Sequence, residues 1–206
     1  MTGNFNIHRP LLIVALCIFC SPIFSQTSVD DSKGLNDLEL GQELSTLIDQ
    51  LQMITGNETV YQNNPNLAEI VKNNLKKGIQ EGINVGETRR IINGYRATDH
   101  RILFFKNAVY KIRWNFDKSD FPVLEPVFKD FVAYFTKKFG QPTDAFFEDT
   151  FIWKGEVNRL QLFSDGKSIQ IEFRNDLIEK GLRSLGTNNI PRRNYAKLFP
   201  PEKVPW

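Results

Sequence analysis

The chain has few of the residues on which most catalytic and metal sites depend. Its 206 residues include 2 histidines and 2 cysteines, and both cysteines and one histidine lie within the first 25 residues. Long apolar runs are also missing. The apolar run over residues 11–19 is much shorter than the stretch of about 20 residues that a membrane-spanning helix needs. It does have the length of a signal-peptide core.

The first 25 residues have the pattern of a signal peptide. A weakly basic start leads into the apolar run, and Pro22 and the small residue Ser25 follow it. We predict cleavage after Ser25 and export to the periplasm or beyond, with Gln26 as the new N-terminus. The alternative is a lipoprotein that keeps an acylated Cys20, although lipoprotein processing normally requires a residue smaller than Phe19 before the cysteine.

Removal of this leader excludes several classes of function. The 181 residues that remain hold no cysteine, a single histidine, His100, and a net charge of +1. Disulfides, thiol nucleophiles and cysteine-ligated metals are therefore excluded, and no Gly-x-Ser-x-Gly turn accompanies the histidine. We expect no metal and no cofactor. The near-neutral charge argues against nucleic acid as a partner, and the mature chain contains no candidate transmembrane span.

Apolar periodicity predicts an α+β fold in which helices pack on an antiparallel sheet of about five strands. The predicted organisation is a signal peptide over 1–25, a flexible lead-in over 26–35, one domain over 36–186 and an extended Pro/Arg-rich tail over 187–206. Within the domain, residues 36–94 are expected to be helical and residues 95–186 to be rich in sheet.

Individual elements follow from the same patterns. Helices are predicted over 36–54, 65–82, 87–94, 123–139 and 175–184. Strands are predicted over 101–106, 108–116, 149–153, 157–163 and 168–173. The clearest helix carries a stripe of phenylalanines, is expected to be capped by Ser119 or Asp120, and ends at Gly140. Strict alternation in 108–116 places Tyr110 on the opposite face from Val109 and Lys111.

Paired carboxylates are harder to exclude than other catalytic groups, because a glycosidase-type site needs only two acids across a cleft. Glu148 and Asp149 are such a pair near aromatic residues, among them Phe151 and Trp153, that could stack on a sugar. A cofactor-free, carboxylate-dependent hydrolase, such as a carbohydrate-active enzyme, is therefore the alternative function. Adjacent acids in a loop are more commonly solvated, so we predict no catalytic residue.

Three features favour binding. Alternation places four basic residues and one acid outward on one sheet face: Lys111, Arg113, Arg159, Arg174 and Glu172. This polar face is either solvated or a docking face for an acidic partner or anionic headgroups. Consecutive aromatics on one strand point to opposite faces, so Phe105 is either displayed or covered by a second layer. The tail has the composition of a segment that orders on contact, or of a strap on its own domain. The candidate binding residues are Lys111, Arg113, Arg159, Phe105, Trp153, Arg192, Arg193 and Trp206.

Two short segments resemble one family of envelope proteins. Residues 82–94, which include Gly86-Glu87-Thr88, resemble the Gly-x-Thr helix opening of small proteins of the SmpA/BamE-like group. Residues 138–143 are similar to the helix-then-Gly-x-Pro step of those modules. The resemblance covers under a fifth of the chain. It implies an α+β module that assists outer-membrane protein assembly, and it assigns no site residues.

These observations together favour an exported, non-catalytic binding or scaffolding protein of a bacterial cell envelope. Its partner is expected to be another envelope protein, and its oligomeric state does not follow from the sequence.

Overall fold

A computed structural model describes residues 27–58, 65–86, 88–146 and 148–187 of the chain. Its helices are α1 (Pro65–Lys76), α2 (Leu124–Phe139) and α3 (Asp176–Thr187). Its strands are β1 (Gly34–Leu35), β2 (Leu38–Glu39), β3 (Leu51–Met53), β4 (Ile79–Asn84), β5 (Ile91–Ile92), β6 (Tyr95–Arg96), β7 (Asp99–Phe105), β8 (Ala108–Asp117), β9 (Asp144–Phe146), β10 (Thr150–Lys154), β11 (Asn158–Ser164) and β12 (Ser168–Asn175). No helix in these ranges combines the length and the apolar character needed to cross a bilayer.

Eight of these strands form one antiparallel sheet. Their order is β3-β4-β7-β8-β12-β11-β10-β9, so the chain enters each half of the sheet at an outer edge and finishes at the centre. The central pair is β8 and β12, in which Arg113 lies opposite Glu172. The α+β class and the antiparallel sheet are therefore confirmed, but the expected number of five strands is wrong. The short strands β3, β4 and β9 account for the difference.

The face of the sheet that α2 covers, here called the α2 face, holds the main core. Phenylalanines recur at three- and four-residue spacing along α2 and so form one buried stripe. The ring of Phe131 lies 4.8 Å from that of Phe116, and the ring of Phe135 lies 5.7 Å from that of Trp153, between centroids. Gly140 ends the helix with a φ of 85°, as predicted. The predicted side-chain cap is wrong, because an extended Val123 without a capping hydrogen bond precedes the helix.

Residues 27–47 form an ordered N-terminal strap in place of the flexible lead-in expected over 26–35. Val29 and Leu35 are buried in the main core. At one end of the strap the Asp30 carboxylate accepts hydrogen bonds from three successive backbone N–H groups of the β10–β11 turn, at residues 156–158. At the other end Gly41 N donates to Val109 O of β8 at 2.7 Å. The strap therefore ties together two strands from different halves of the sheet.

The helix predicted over 36–54 is wrong. Asn36 and Asp37 both have positive φ, 52° and 60°, and close the β1–β2 hairpin, which a helix cannot accommodate. Two single turns of 3-10 helix and β3 follow. Leu38 and Leu47 are nevertheless fully buried. The apolar spacing therefore correctly indicated which residues are buried, although the helix predicted from it is wrong.

Among the described residues in the rest of the predicted helical segment, 36–94, α1 is the one α-helix, and a single 3-10 turn lies at Thr88–Arg90. That helix begins at Pro65 as predicted but stops at Lys76, and β4 takes the residues up to Asn84. The helix predicted over 87–94 is wrong, because the β5–β6 hairpin turns at Asn93 and Gly94, whose φ values are 50° and 81°. By contrast, the five strands and the last two helices predicted after residue 100 are present, with ends that differ by a few residues.

A β-bulge in β8 changes which side chains share a face. Leu103 lies opposite Lys111, whereas the next residue, Phe104, lies opposite Val109, so Tyr110 is the extra residue. Val109 joins the main core with Phe104, and Tyr110 lies beside Lys111 on the opposite face. The strict alternation predicted for this strand therefore assigns Val109 and Tyr110 to the wrong faces, whereas it is correct from Lys111 onwards.

Candidate functional site

Two of the three basic candidate binding residues on the polar sheet face, Lys111 and Arg113, form ion pairs with acids of the chain itself, and those of Lys111 are buried. This face, here called the α3 face because α3 packs on it, is opposite the α2 face. The Lys111 ammonium lies 2.8 Å from a carboxylate oxygen of Glu179 and 3.8 Å from one of Glu172. Arg113 donates to Glu172 at 3.0 Å, and Arg174 pairs with both Glu172 and Asp176.

Strand register and chain order bring these charges together. Glu172 lies opposite Arg113 across the central strand pair, and α3 follows β12 directly, so Asp176 and Glu179 reach the same face. Burial alone would raise the pKa of Glu172, but Lys111, Arg174 and Arg113 hold it below its ordinary value. The sequence analysis considered an acidic partner protein for this face, but two of the acids that pair with its cations, Asp176 and Glu179, belong to α3 of the same chain.

Arg159 differs from the other two basic residues. It lies on β11, opposite Arg174 of β12, and is half-buried. Its Nε is buried without a hydrogen-bond partner among the residues that the structure describes. Burial alone would raise the pKa of Asp176, but Lys180, Arg174 and, more weakly, the charge of Arg159 lower it.

The predicted aromatic binding residues are packed inside the protein. Phe105 is 4% exposed and contacts Ile178 and Leu182 of α3, so the second covering layer considered for it is present. Trp153 is 1% exposed, and its indole N–H donates to Gly140 O at 2.8 Å. As placed, neither ring can contact a partner. Arg192, Arg193 and Trp206 lie outside the described residues.

His100, the one histidine among the residues that the structure describes, is a buried, neutral side chain. His100 stacks on Trp114 with ring centroids 4.8 Å apart, and its Nδ1 lies 2.9 Å from Asn84 Nδ2. Burial, reinforced by the charge of Arg90, lowers the pKa of His100 to about 3. A ring of this kind stabilises the sheet and is poorly suited to accept a proton during catalysis.

Glu148 and Asp149 are exposed and lie in the turn before β10. The Asp149 carboxylate accepts a hydrogen bond from Thr150 Oγ1 at 3.0 Å. Trp153 is turned into the core, so it offers no stacking platform beside these acids. Among the described residues, no group of three or more histidine, cysteine or acidic side chains could hold a metal ion.

A groove along one flank of α2 escaped the sequence analysis. This α2 groove, of about 900 Å³, has an apolar floor of Phe128, Val132, Ala133 and Phe151. It adjoins a second hollow of about 480 Å³ at the start of α2, and Phe128 and Glu148 line both. Charged side chains form the rim of the α2 groove: Glu125, Lys129, Lys137 and Glu148.

The outer edge of the sheet lies beside this groove. Strand β9 pairs with β10, and no other strand of the described ranges pairs with it. All three of its residues are exposed, and Phe146 is 54% exposed. Ala145 lies opposite Phe151, so it shares the α2 face with the groove floor. The open edge strand β9 is therefore the direct neighbour of β10, the strand that contributes Phe151 to the groove floor.

Sequence patterns gave no direct signal for this site, because it forms where a helix flank meets strands that follow it in the chain. Its nearest sequence signal was the acid pair at residues 148–149, of which Glu148 lines the groove and both line the adjoining hollow. Comparisons with protein-family models, curated proteins and solved structures gave no match.

Proposed function

We propose that this protein is an exported, non-catalytic binding protein of a bacterial cell envelope, and that it binds an extended segment of another envelope protein in the α2 groove. The leader pattern over residues 1–25 supports export. The observation that carries the binding proposal is that the open edge strand β9 pairs with β10, whose Phe151 forms part of the apolar groove floor. Strand addition uses both features, because the edge supplies backbone hydrogen bonds and pockets take alternate side chains.

The chemistry of the bound segment follows from this geometry. A strand added beside β9 would direct every second side chain to the α2 face, towards Ala145 and Phe151, so apolar residues are expected at alternate positions. The exposed carboxylates of Glu148 and Asp149 line the hollow at the start of α2. They favour a lysine or arginine at that end of the segment.

Site-specific photo-crosslinking in intact cells tests the proposal. A photoreactive residue replaces Ala133 on the groove floor, and in a matched control it replaces Leu177, which is exposed on α3. We expect crosslinking at position 133 to one extended, apolar and basic segment of an envelope protein. Charge reversal by Glu148→Lys with Asp149→Lys should reduce the yield several-fold, whereas Glu156→Lys in another exposed turn should not.

Equal crosslinking from both positions, or a captured segment without basic residues, would overturn the proposal. So would a yield that the double charge reversal leaves unchanged. The alternative of a carboxylate-dependent hydrolase has less support, because Trp153 is buried away from the Glu148–Asp149 pair.

A further inference from the structure

A second cavity lies on the α3 face, separate from the α2 groove. It is an open cleft of about 270 Å³, lined by residues of α1, of the neighbouring strands β4 and β7, and of α3. Ile79, Leu103 and Leu182, from three of these elements, contribute to its apolar wall. This volume is slightly below the range of drug-sized pockets, so it suits a small molecule and not a polypeptide.

The charges that line this cleft leave an excess of positive charge. The Glu179 carboxylate is held between Lys111 at 2.8 Å and Arg183 at 3.0 Å. Glu81 also lines the cleft, but it is engaged at 3.0 Å by Arg101, which is not part of the lining.

Lys77 supplies a further cation at the cleft. It is exposed, and no acid of the described ranges pairs with it. Because both acids that line the cleft already have cationic partners, an incoming anion would not compete with a free carboxylate for Lys77.

The hydroxyl of a largely buried tyrosine completes the polar part of the lining. Tyr110, the residue that the β-bulge turns onto this face, is 3% exposed. No described residue accepts a hydrogen bond from its hydroxyl. Burial, together with the charges of Glu179 and Glu81, raises the pKa of Tyr110, so the hydroxyl stays protonated and remains a donor.

We propose that this cleft binds a small amphipathic anion, a carboxylate with a short aliphatic or aromatic body. The carboxylate accepts hydrogen bonds from Lys77 and the Tyr110 hydroxyl, and the apolar body packs against Ile79, Leu103 and Leu182. This site lies beyond the function proposed above, because it is on the opposite face of the sheet and takes a different class of ligand.

Titration of the purified protein with hexanoate, followed by NMR, tests the proposal, with hexanamide as a neutral probe of the same shape. We expect saturable binding of hexanoate and binding of hexanamide weaker by about tenfold. Lys77→Gln should weaken hexanoate binding to the level of hexanamide, and Tyr110→Phe should also weaken it. The matched control is Lys72→Gln, which changes an exposed lysine on α1 outside the cleft, five residues before Lys77 in the turn that follows the helix, and should have no effect.

Three results would overturn the proposal: no saturable binding of either hexanoate or 3-phenylpropionate, equal binding of hexanoate and hexanamide, or equal effects of the Lys77 and Lys72 variants. A further variant, Leu103→Trp, fills the cleft and should abolish binding. If it lowers the melting temperature strongly, the exposed Lys77 variant still decides the question, because its side chain carries no packing.

Discussion

Replacement of Asp30 with alanine should release the N-terminal strap from the β10–β11 turn. The Asp30 carboxylate accepts part-buried hydrogen bonds from Val157 N at 3.0 Å and Asn158 N at 2.7 Å, and a more exposed one from Glu156 N. Hydrogen bonds to a charged group contribute about 1.5–3 kcal/mol each, and water can reach the exposed one after the change. We therefore expect a loss of about 3 kcal/mol in the free energy of unfolding.

Urea unfolding followed by tryptophan fluorescence measures this loss, because Trp114 and Trp153 are both buried. For a domain of this size the melting temperature should fall by about 10 °C. The matched control is Asp31→Ala, which removes only an exposed hydrogen bond from Ser28 N and should cost about 0.5 kcal/mol or less.

A second variant approaches the same contact from the other side. A Cβ added at Gly155 would lie 2.3 Å from the Asp30 carboxyl group, so Gly155→Ala should also destabilise the strap. If Asp30→Ala costs no more than Asp31→Ala, the strap does not stabilise the fold in the way described here.

Three further predictions concern the interior. Glu172→Gln leaves Lys111 and its two neighbouring arginines without their shared acid and should cost about 3–5 kcal/mol in urea unfolding at pH 7. The folded-state pKa of Glu172 lies below the unfolded value, so its contribution to the free energy of unfolding is complete above the unfolded pKa and is lost as pH falls through the folded pKa. Below about pH 4.5, the free energy of unfolding should therefore change less with pH in the variant than in the original protein. The His100 ring resonances should not titrate between pH 8 and 5, and titration near pH 6.5 would contradict the burial. As pH falls from 6.5 to 3, the free energy of unfolding should decrease by up to about 1.4 kcal/mol per pH unit, because the unfolded chain protonates His100 and the folded chain does not. Phe135→Ala should cost about 3–5 kcal/mol, and a cost below 1 kcal/mol would contradict the packing described for α2.

The second half of the fold was predictable because its signals are local. The phenylalanine stripe of α2, the glycine at its end and the turns between the last three strands each lie within a few residues of the element that they specify. In the first half the same apolar spacing was misleading. Leu38 and Leu47 are buried from irregular backbone, and the turn residues Asn36 and Asp37 were the signal that would have separated a hairpin from a helix.

The sites depended on contacts that no local pattern contains. Alternation correctly placed Lys111, Arg113 and Glu172 on the same face, but it did not predict that Glu172 pairs with both cations or that α3 adds Glu179. The bulge that moves Tyr110 to the α3 face depends on how β7 and β8 align, which side-chain periodicity does not specify. The α2 groove likewise exists only after the helix packs beside β10.

The strand order also has a consequence for folding. Neighbouring strands β7 and β8, and β10 to β12, are joined by short turns, so each half of the sheet can form from local contacts. The seam between the halves is different, since Arg113 and Glu172 face each other across 59 residues of sequence. Closing so long a loop is entropically costly and slow. We expect the seam between β8 and β12, with its buried ion pairs, to form late, and the charged centre of the sheet therefore to be exposed to water in any partly folded chain.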